Sequence, residues 1–309
     1  MISKKITIAA TCMKVEYDKS RNLNKHIQFI EEAAEENAKL LVFPECSLQG
    51  YTWAWDAEKC CYLDDEDQQR YFQEASEPIP GPPTKIIAQQ AASHDMLIQI
   101  GMAEKVEKSG ENILYNSVAL IGPDGLLGVF RKIHMAQTPI FRKGDSFNVF
   151  NTSIGKIGPI ICADLAYPES VRVLALKGAE IVTMSTAWGM MTRNIPKIDI
   201  QDSSWSFPGY FSGYKYDLLG RAAALENGVW FVISNQVGSS PPAEEKSFGH
   251  SRIIDPAGRV IAGIGYEEGI VTAKVDIKAG IDPNRFEGRR PECYNIICAR
   301  HATRVRRLA

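Results

Sequence analysis

The chain has 309 residues, 45% hydrophobic and 23% charged, with 35 lysines and arginines against 37 aspartates and glutamates. This near-neutral balance excludes the basic surface that nucleic acid or an anionic membrane requires, and no stretch approaches the roughly 18 consecutive apolar residues of a membrane span. We expect a single globular domain, because no linker-like tract or repeat divides the sequence. We also expect the protein to be cytoplasmic.

The chain begins with alternating strand and helix patterns. Residues 5–13 are rich in β-branched side chains and predict a strand, and residues 22–37 carry apolar side chains at helical spacing. Residues 40–43 form an apolar run typical of a buried parallel strand, which stops at Pro44-Glu45. Glu45 thus stands at the carboxyl end of a strand, where it is either a site residue or a solvated loop residue.

Three aromatic residues, Tyr51, Trp53 and Trp55, follow within a few positions. Such a cluster fits the rim of a pocket, a satellite core or an oligomer contact. Beyond it, residues 83–94 predict a helix and residues 96–103 another buried strand.

A hairpin is predicted from residues 113–121 and 125–133, which flank a Pro-Asp-Gly turn. The second strand places Lys132 near its end among apolar neighbours. A lysine there either extends to solvent or points inward, where its ammonium group can hold a carboxylate and an oxyanion.

The next strand pattern, residues 155–161, runs directly into Cys162. Polar residues and a proline then break the chain before a helical pattern at residues 169–176. A cysteine at such a strand-to-helix turn faces the ligand-binding edge of an open α/β sheet, although a small buried hydrophobe is the ordinary fate of a free cysteine.

The remaining chain predicts a strand at residues 180–187, a helix within 210–227, a strand at 229–234, a hairpin over 248–261 and a strand at 269–276. βα units therefore alternate with hairpins, which indicates mixed sheets covered by helices.

The cysteines and histidines do not suggest a metal site. The sequence has seven cysteines without CxxC spacing and five scattered histidines. This pattern fits reduced thiols better than disulfides or zinc ligands, so we expect no metal and no cofactor.

Three motifs, each at a predicted strand end, resemble in order and separation the signature blocks of the nitrilase, or carbon–nitrogen hydrolase, superfamily. They are Phe43-Pro44-Glu45, Arg131-Lys132-Ile133-His134, and Ile161-Cys162-Ala163-Asp164 followed by Tyr167-Pro168-Glu169.

The resemblance implies an α/β (α+β) fold, a four-layer α-β-β-α sandwich of two mixed β-sheets covered by helices. It also implies a catalytic triad of Glu45, Lys132 and Cys162. In that chemistry Cys162 attacks the carbonyl carbon to form a thioester, and Glu45 transfers protons. Lys132 and the backbone N–H of Ala163 stabilise the oxyanion.

One position departs from the family pattern. Members usually carry a second glutamate after the lysine block, and Gln137 stands where it is expected. Gln137 would accept a hydrogen bond from Lys132 but supply no charge; a plain loop residue is the alternative interpretation.

The substrate site is expected around the nucleophile. We predict that Tyr51, Gln137, Asp164, Leu165 and Trp188 contact the substrate, although a carboxylate at a strand-to-helix turn is often an N-terminal cap instead. No arginine clamp for a substrate carboxylate follows the cysteine, in contrast to the branch that cleaves N-carbamoyl-D-amino acids.

The resemblance favours a hydrolase that cleaves a non-peptide C–N bond of a small amide or N-carbamoyl amine and releases ammonia or amine. Nitrile hydrolysis with the same triad and a non-catalytic binding protein on the same fold are the alternatives.

We expect residues 1–280 to form the hydrolase domain and residues 281–309 to form a C-terminal extension that serves as an oligomerisation arm. The arm is apolar and then basic. A homodimer or larger homo-oligomer is therefore predicted.

Overall fold

The computed structural model describes residues 5–52, 55–56, 61–62, 64–135, 140–189, 210–242 and 246–298. The strands of the first half are β1 (Ile6–Met13), β2 (Ala38–Val42), β3 (Trp55–Asp56), β4 (Cys61–Tyr62), β5 (Leu97–Lys108), β6 (Glu111–Gly122) and β7 (Gly125–Arg131). The helices of this half are α1 (Lys19–Glu35), α2 (Glu66–Ala75) and α3 (Pro82–His94).

The strands of the second half are β8 (Phe150–Thr152), β9 (Gly155–Ile161), β10 (Ile181–Thr186), β11 (Trp230–Gly238), β12 (Ser247–Phe248), β13 (Arg252–Ile254), β14 (Val260–Gly263) and β15 (Gly269–Val275). Its helices are α4 (Pro168–Leu176) and α5 (Tyr210–Asn227), with 3₁₀ turns at Cys162–Ala166, Pro291–Cys293 and Asn295–Cys298. The predicted strands and helices are confirmed to within a few residues at their ends; α2, β3, β4, β8 and β12 were not predicted.

Two mixed sheets contain nearly all the strands. One has the order β7-β6-β5-β2-β1-β15 and the other β8-β9-β10-β11-β13-β14. The carboxyl end of β1 also pairs with β11, through Cys12↔Asn235 and Met13↔Gln236. The central strands of each sheet are parallel, so their carboxyl ends lie at one edge of the molecule.

Three apolar cores separate four layers. α1 and α3 pack on one sheet, α4 and α5 pack on the other, and a third core joins the two sheets face to face. The joining core contains Ile8 and Val42 from the first sheet and Ile157 and Val232 from the second, all wholly buried. Burial of each such side chain contributes about 1.5–3 kcal/mol. The predicted α-β-β-α sandwich is confirmed.

The turn between β6 and β7 has the predicted chemistry. Gly125 adopts a φ of +111°, a conformation that residues with a side chain rarely adopt. Along the described ranges, no helix is long and apolar enough to cross a bilayer.

Candidate active site

Glu45 and Lys132 form a buried ion pair at the shared strand edge. Glu45 follows β2 and Lys132 follows β7, and the Lys132 ammonium donates a hydrogen bond to Glu45 Oε1. Glu45 is fully buried and Lys132 is 2% exposed. Lys132 therefore points inward and does not extend to solvent.

Three further donors fix Glu45. Asn116 Nδ2 lies 2.7 Å from Glu45 Oε1, and the Ala187 N–H donates to Oε2 over 3.0 Å. Gln236 Nε2 holds the main-chain carbonyl of Glu45 at 2.7 Å. Gly101 of β5 leaves room for this turn, since a Cβ there would lie 2.1 Å from the Pro44 carbonyl oxygen. The position of the carboxylate is thus fixed by Lys132, Asn116 and the Ala187 N–H together.

Lys132 is anchored at its backbone and at its tip. Its N–H donates to the Asn116 carbonyl over 2.8 Å, and its own carbonyl accepts the Gly144 N–H at 2.8 Å. Nζ lies 3.4 Å from the Tyr51 hydroxyl and 5.3 Å from the centroid of the Tyr51 ring. Tyr51, predicted to contact substrate, therefore stands beside the cation of the site.

Cys162 occupies the turn between β9 and a 3₁₀ segment. Its φ of +45° lies in the left-handed region, which costs a residue with a side chain about 1–2 kcal/mol. The sequence of this turn contains no glycine, so the surrounding structure imposes the conformation on the cysteine.

The Cys162 thiol lies in the field of the ion pair. The pKa of this thiol is raised to about 12, first by its removal from water and then by the negative charge of Glu45, while Lys132, the Thr186 hydroxyl and the Ala187 N–H act in the opposite direction. The thiol is therefore protonated at neutral pH, and a base must remove its proton before attack.

Asp164 and Leu165, two of the predicted substrate contacts, are both buried. The Asp164 carboxylate is fully buried and accepts N–H groups from His134, at 2.8 Å, and Ile161, at 3.0 Å. His134 Nδ1 lies 2.9 Å from the same carboxylate. Leu165 is 3% exposed and belongs to the core under α4 and α5. Asp164 thus caps the turn and Leu165 packs in the core, and contact of either residue with substrate stays a prediction.

Trp188 and Gln137 are the remaining predicted contacts. The Trp188 N–H donates to Asn235 Oδ1 over 2.8 Å, and its ring meets Tyr216 edge to face with centroids 5.6 Å apart. Trp188 thus stands half-buried at the end of β10, beside the site. Gln137 and Trp53 lie outside the described residues.

A cleft opens beside the ion pair. Its lining residues include Tyr51, which contacts Lys132, and Ala187 and Gln236, which hold Glu45. The others are Val15, Tyr17, Gly50, Thr52, Gly189, Gly238, Ser239, Ser240 and Ser247. A small molecule in this cleft would reach the site from the β2, β10 and β11 strand ends.

Comparison with known proteins identifies the family. The sequence profile of the carbon–nitrogen hydrolase family matches residues 6–281. The chain belongs to the carbon–nitrogen hydrolase family. This hydrolase is 34% identical over 289 residues to the probable nitrilase C965.09 of Schizosaccharomyces pombe, covering 90% of this chain and 92% of the relative. It is 32% identical over 276 residues to omega-amidase NIT2-B of Xenopus laevis, covering 84% of each chain.

Solved structures agree on the fold. A carbon–nitrogen hydrolase from Helicobacter pylori G27 superposes with a TM-score of 0.77 at 23% identity, covering 96% of this chain and 100% of that one. Nit3 of Saccharomyces cerevisiae gives a TM-score of 0.69 at 23% identity, covering 98% of this hydrolase and 97% of that chain. The family resemblance in the sequence is confirmed.

The sequence did not assign a role to several residues of the site. Asn116 of β6, Ala187 after β10 and Gln236 of β11 bind Glu45. They come from segments far apart in the chain, so no local pattern of apolar residues selects them. Cys46 is also fully buried beside the ion pair, and burial together with Glu45 holds the pKa of its thiol well above the ordinary value.

The arrangement brings a thiol, a buried carboxylate and a buried ammonium group together in one site of the hydrolase. Among the described residues, no group of three or more His, Cys, Asp and Glu side chains could hold a metal ion. The chemistry available to these groups is covalent attack by a thiol with proton transfer by a carboxylate.

Proposed function

We propose that this hydrolase cleaves the C–N bond of a small amide through a thioester on Cys162. The observation that carries the proposal is the buried Glu45–Lys132 pair acting on a protonated thiol at a strand end. A carboxylate can accept the proton of a neutral thiol while the sulfur attacks the substrate, so these two groups can couple proton transfer to attack.

The first half-reaction forms the thioester. Glu45 takes the Cys162 proton as sulfur bonds to the carbonyl carbon, and the oxygen becomes an oxyanion held by Lys132 and the Ala163 N–H. The oxyanion then collapses, the C–N bond breaks, and Glu45 returns the proton to the departing nitrogen, which leaves as ammonia or amine.

The second half-reaction regenerates the enzyme. Glu45 removes a proton from water, whose oxygen attacks the thioester carbon. Collapse of the second oxyanion breaks the C–S bond, and the sulfur recovers the proton from Glu45, which releases the carboxylic acid. Atoms balance, with one water consumed per bond cleaved.

A small primary amide is the substrate class we favour. The relative from Xenopus laevis bears the name omega-amidase, which supports an amide over an N-carbamoyl group. Nitrile hydrolysis is the second candidate, because the relative from Schizosaccharomyces pombe is described as a probable nitrilase. A nitrile and the matching amide both end as the carboxylic acid and ammonia, with two waters consumed for the nitrile and one for the amide, so a panel of substrates separates the classes by which compounds are turned over.

Intact-mass spectrometry after brief mixing with amides, carbamoyl amines and nitriles tests the proposal. We expect a transient acyl adduct on the wild type, no adduct on Cys162→Ala, and a persistent adduct on any Glu45→Gln protein that becomes acylated. Ammonia release without any Cys162 adduct, or equal turnover by Cys162→Ala, would contradict the thioester.

We propose further that the protein is a homodimer paired through the α4/α5 face. Leu176, Leu218 and Leu225 of these helices are exposed, as is Ile297 of the C-terminal segment. An apolar surface of this kind is typical of an interface. Light scattering is expected to give twice the monomer mass, and Leu218→Glu is expected to give monomers; a monomeric wild type would contradict the pairing.

A reducing compartment such as the cytoplasm is also proposed, because a thiol nucleophile must stay reduced. In the described part of the chain, free thiols are found at Cys12, Cys46, Cys162, Cys293 and Cys298. We expect reversible loss of activity under a mild thiol oxidant, and fractionation of cells is expected to find the protein with cytoplasmic enzymes.

A further inference from the structure

The cleft beside the ion pair contains two buried hydroxyl groups without a protein partner. Thr52 is 7% exposed and Ser240 is 6% exposed, and both line the cleft. Thr52 Oγ1 and Ser240 Oγ have no hydrogen-bond partner among the described residues. Buried polar atoms nearly always have a partner, so two orphaned hydroxyls in one cleft indicate a group that enters it.

The two hydroxyls come from separate segments of the chain. Thr52 follows the Glu45 turn after β2, and Ser240 follows β11. A ligand group between these segments would meet a donor or acceptor from each, because a hydroxyl both donates and accepts hydrogen bonds. Sequence reasoning had no signal for this convergence.

The cleft also has a definite charge character. None of the residues that line it is lysine, arginine, histidine, aspartate or glutamate, within the described part of the chain. Burying an ion without a counter-charge is costly, whereas a neutral polar group pairs well with hydroxyls. The lining therefore favours an uncharged guest.

The cleft shares lining residues with the surroundings of the Glu45–Lys132 pair. Tyr51 lines it and lies 3.4 Å, through its hydroxyl, from Lys132 Nζ. Ala187 lines it and donates its N–H to Glu45. A substrate whose amide carbon lies at Cys162 would therefore extend its other end into this cleft.

We propose that Thr52 and Ser240 form a specificity subsite for an uncharged hydrogen-bonding group, such as a hydroxyl, at the end of the acyl chain remote from the scissile amide. This inference rests on the proposed amide hydrolysis. It adds the substrate class: neutral, polar-tailed amides in preference to alkyl or carboxylate-tailed ones.

Matched amides test the subsite. We would measure kcat/KM for γ-hydroxybutyramide, valeramide and glutaramate, which differ only in a terminal hydroxyl, methyl or carboxylate. The wild type is expected to favour the hydroxyl compound over both others by about tenfold. Thr52→Val and Ser240→Ala are each expected to lower the preference over valeramide by about threefold to tenfold, the value of one neutral hydrogen bond.

Two further variants serve as controls. Thr52→Ser keeps the hydroxyl and is expected to keep the preference. Ser146→Ala makes the same chemical change on an exposed loop residue and is expected to change nothing. The subsite would be overturned if Thr52→Val and Ser240→Ala kept the preference for the hydroxyl compound over valeramide, which would mean that the two hydroxyls bind only water. A wild-type preference for glutaramate would overturn it as well.

Binding separates failure of the subsite from failure of the proposed function. If the wild type hydrolyses none of the three amides, amide hydrolysis fails as a function. Kd values for the same compounds on Cys162→Ala, with and without Thr52→Val, then test the subsite directly. Equal Kd values for the hydroxyl and methyl compounds would overturn it.

Discussion

Two fully buried carboxylates flank the nucleophile, and they differ in what holds them. Glu45 is bound by the Lys132 ammonium, an amide side chain and one backbone N–H. Asp164 is bound by two backbone N–H groups and by the His134 ring. The donors to Glu45 are mainly side chains. The donors to Asp164 are mainly main-chain groups of the two segments that carry Lys132 and Cys162.

The difference separates chemistry from positioning. The negative charge of Glu45 raises the pKa of the Cys162 thiol, and proton exchange with sulfur is the role that we propose for this carboxylate. Asp164 ties the residue before Cys162 to the second residue after Lys132, so its loss would displace both. His134 also stacks on Tyr167, with ring centroids 3.9 Å apart, so an aromatic contact joins the same two segments.

Exchange of Glu45 for glutamine gives the largest expected effect. Glu45→Gln keeps the shape and several hydrogen bonds but removes the base, and general base catalysis contributes about 10²–10⁴ in rate. We expect amide turnover to fall by about that factor in steady-state assays, with circular dichroism unchanged. Turnover within about tenfold of wild type would assign the base elsewhere.

Replacement of Asp164 tests the positioning side of the comparison. Asp164→Ala leaves the backbone N–H groups of Ile161 and His134 without their acceptor and removes the contact with the His134 ring, so we expect a loss of about 3–5 kcal/mol in the free energy of unfolding by urea. Asp164→Asn is expected to be milder and to lower kcat more than it raises KM. Glu169→Gln, at an exposed carboxylate in the first turn of α4, is the matched control and should change stability by less than about 0.5 kcal/mol. A normal kcat in folded Asp164→Asn would remove the positioning role.

His26 extends the comparison behind the Glu45 turn. It is fully buried, and its Nε2 lies 2.9 Å from Ser47 Oγ, two residues after Glu45. Burial lowers its pKa from 6.5 to about 4. Because the folded state disfavours protonation of His26, the contribution of this residue to the free energy of unfolding is fully present above pH 6.5. It is lost as the pH drops towards 4, and the loss is about 3 kcal/mol.

Urea unfolding at several pH values measures this loss. His26→Gln removes the titrating group, so its stability is expected to vary less with pH between 6.5 and 4, although it will be lower at pH 7. Parallel pH curves for the two proteins would show that other groups cause the dependence.

Loss of the Tyr51 hydroxyl gives the smallest expected effect. The hydroxyl meets Lys132 Nζ at 3.4 Å, a long contact that supplements the ion pair. Tyr51→Phe is therefore expected to lower kcat/KM by about threefold to tenfold and to leave stability nearly unchanged. A loss as large as that of Glu45→Gln would place Tyr51 among the catalytic groups.

Much of the architecture was predictable because local patterns determined it. Apolar runs ended where β2 and β9 end, and their last positions placed Glu45 and Cys162 at one sheet edge. The surroundings of Glu45 were not predictable, because Asn116 and Gln236 reach it from strands far along the chain. Such contacts depend on sheet order, which no local pattern specifies.

The direction of the side chains after Cys162 was also hard to predict. Asp164 and Leu165 follow Cys162 closely, and proximity in sequence suggested contact with substrate. The 3₁₀ turn instead directs Asp164 to backbone donors and Leu165 into the helix-side core. In such a short turn, neighbouring residues point their side chains in different directions. The amino-acid composition does not show which direction each side chain takes.

The most direct test of the account is the pH dependence of Cys162 alkylation by iodoacetamide, followed by mass spectrometry of the Cys162 peptide. In the wild type we expect the rate to rise with pH without a plateau below about pH 10, since the thiol titrates near 12. In Glu45→Gln the pKa is expected to fall, because the negative charge that raises it is gone, so alkylation at pH 8 should quicken while amide turnover is lost. A wild-type plateau near pH 7, or slower alkylation in Glu45→Gln, would contradict a neutral thiol that depends on Glu45 as its base.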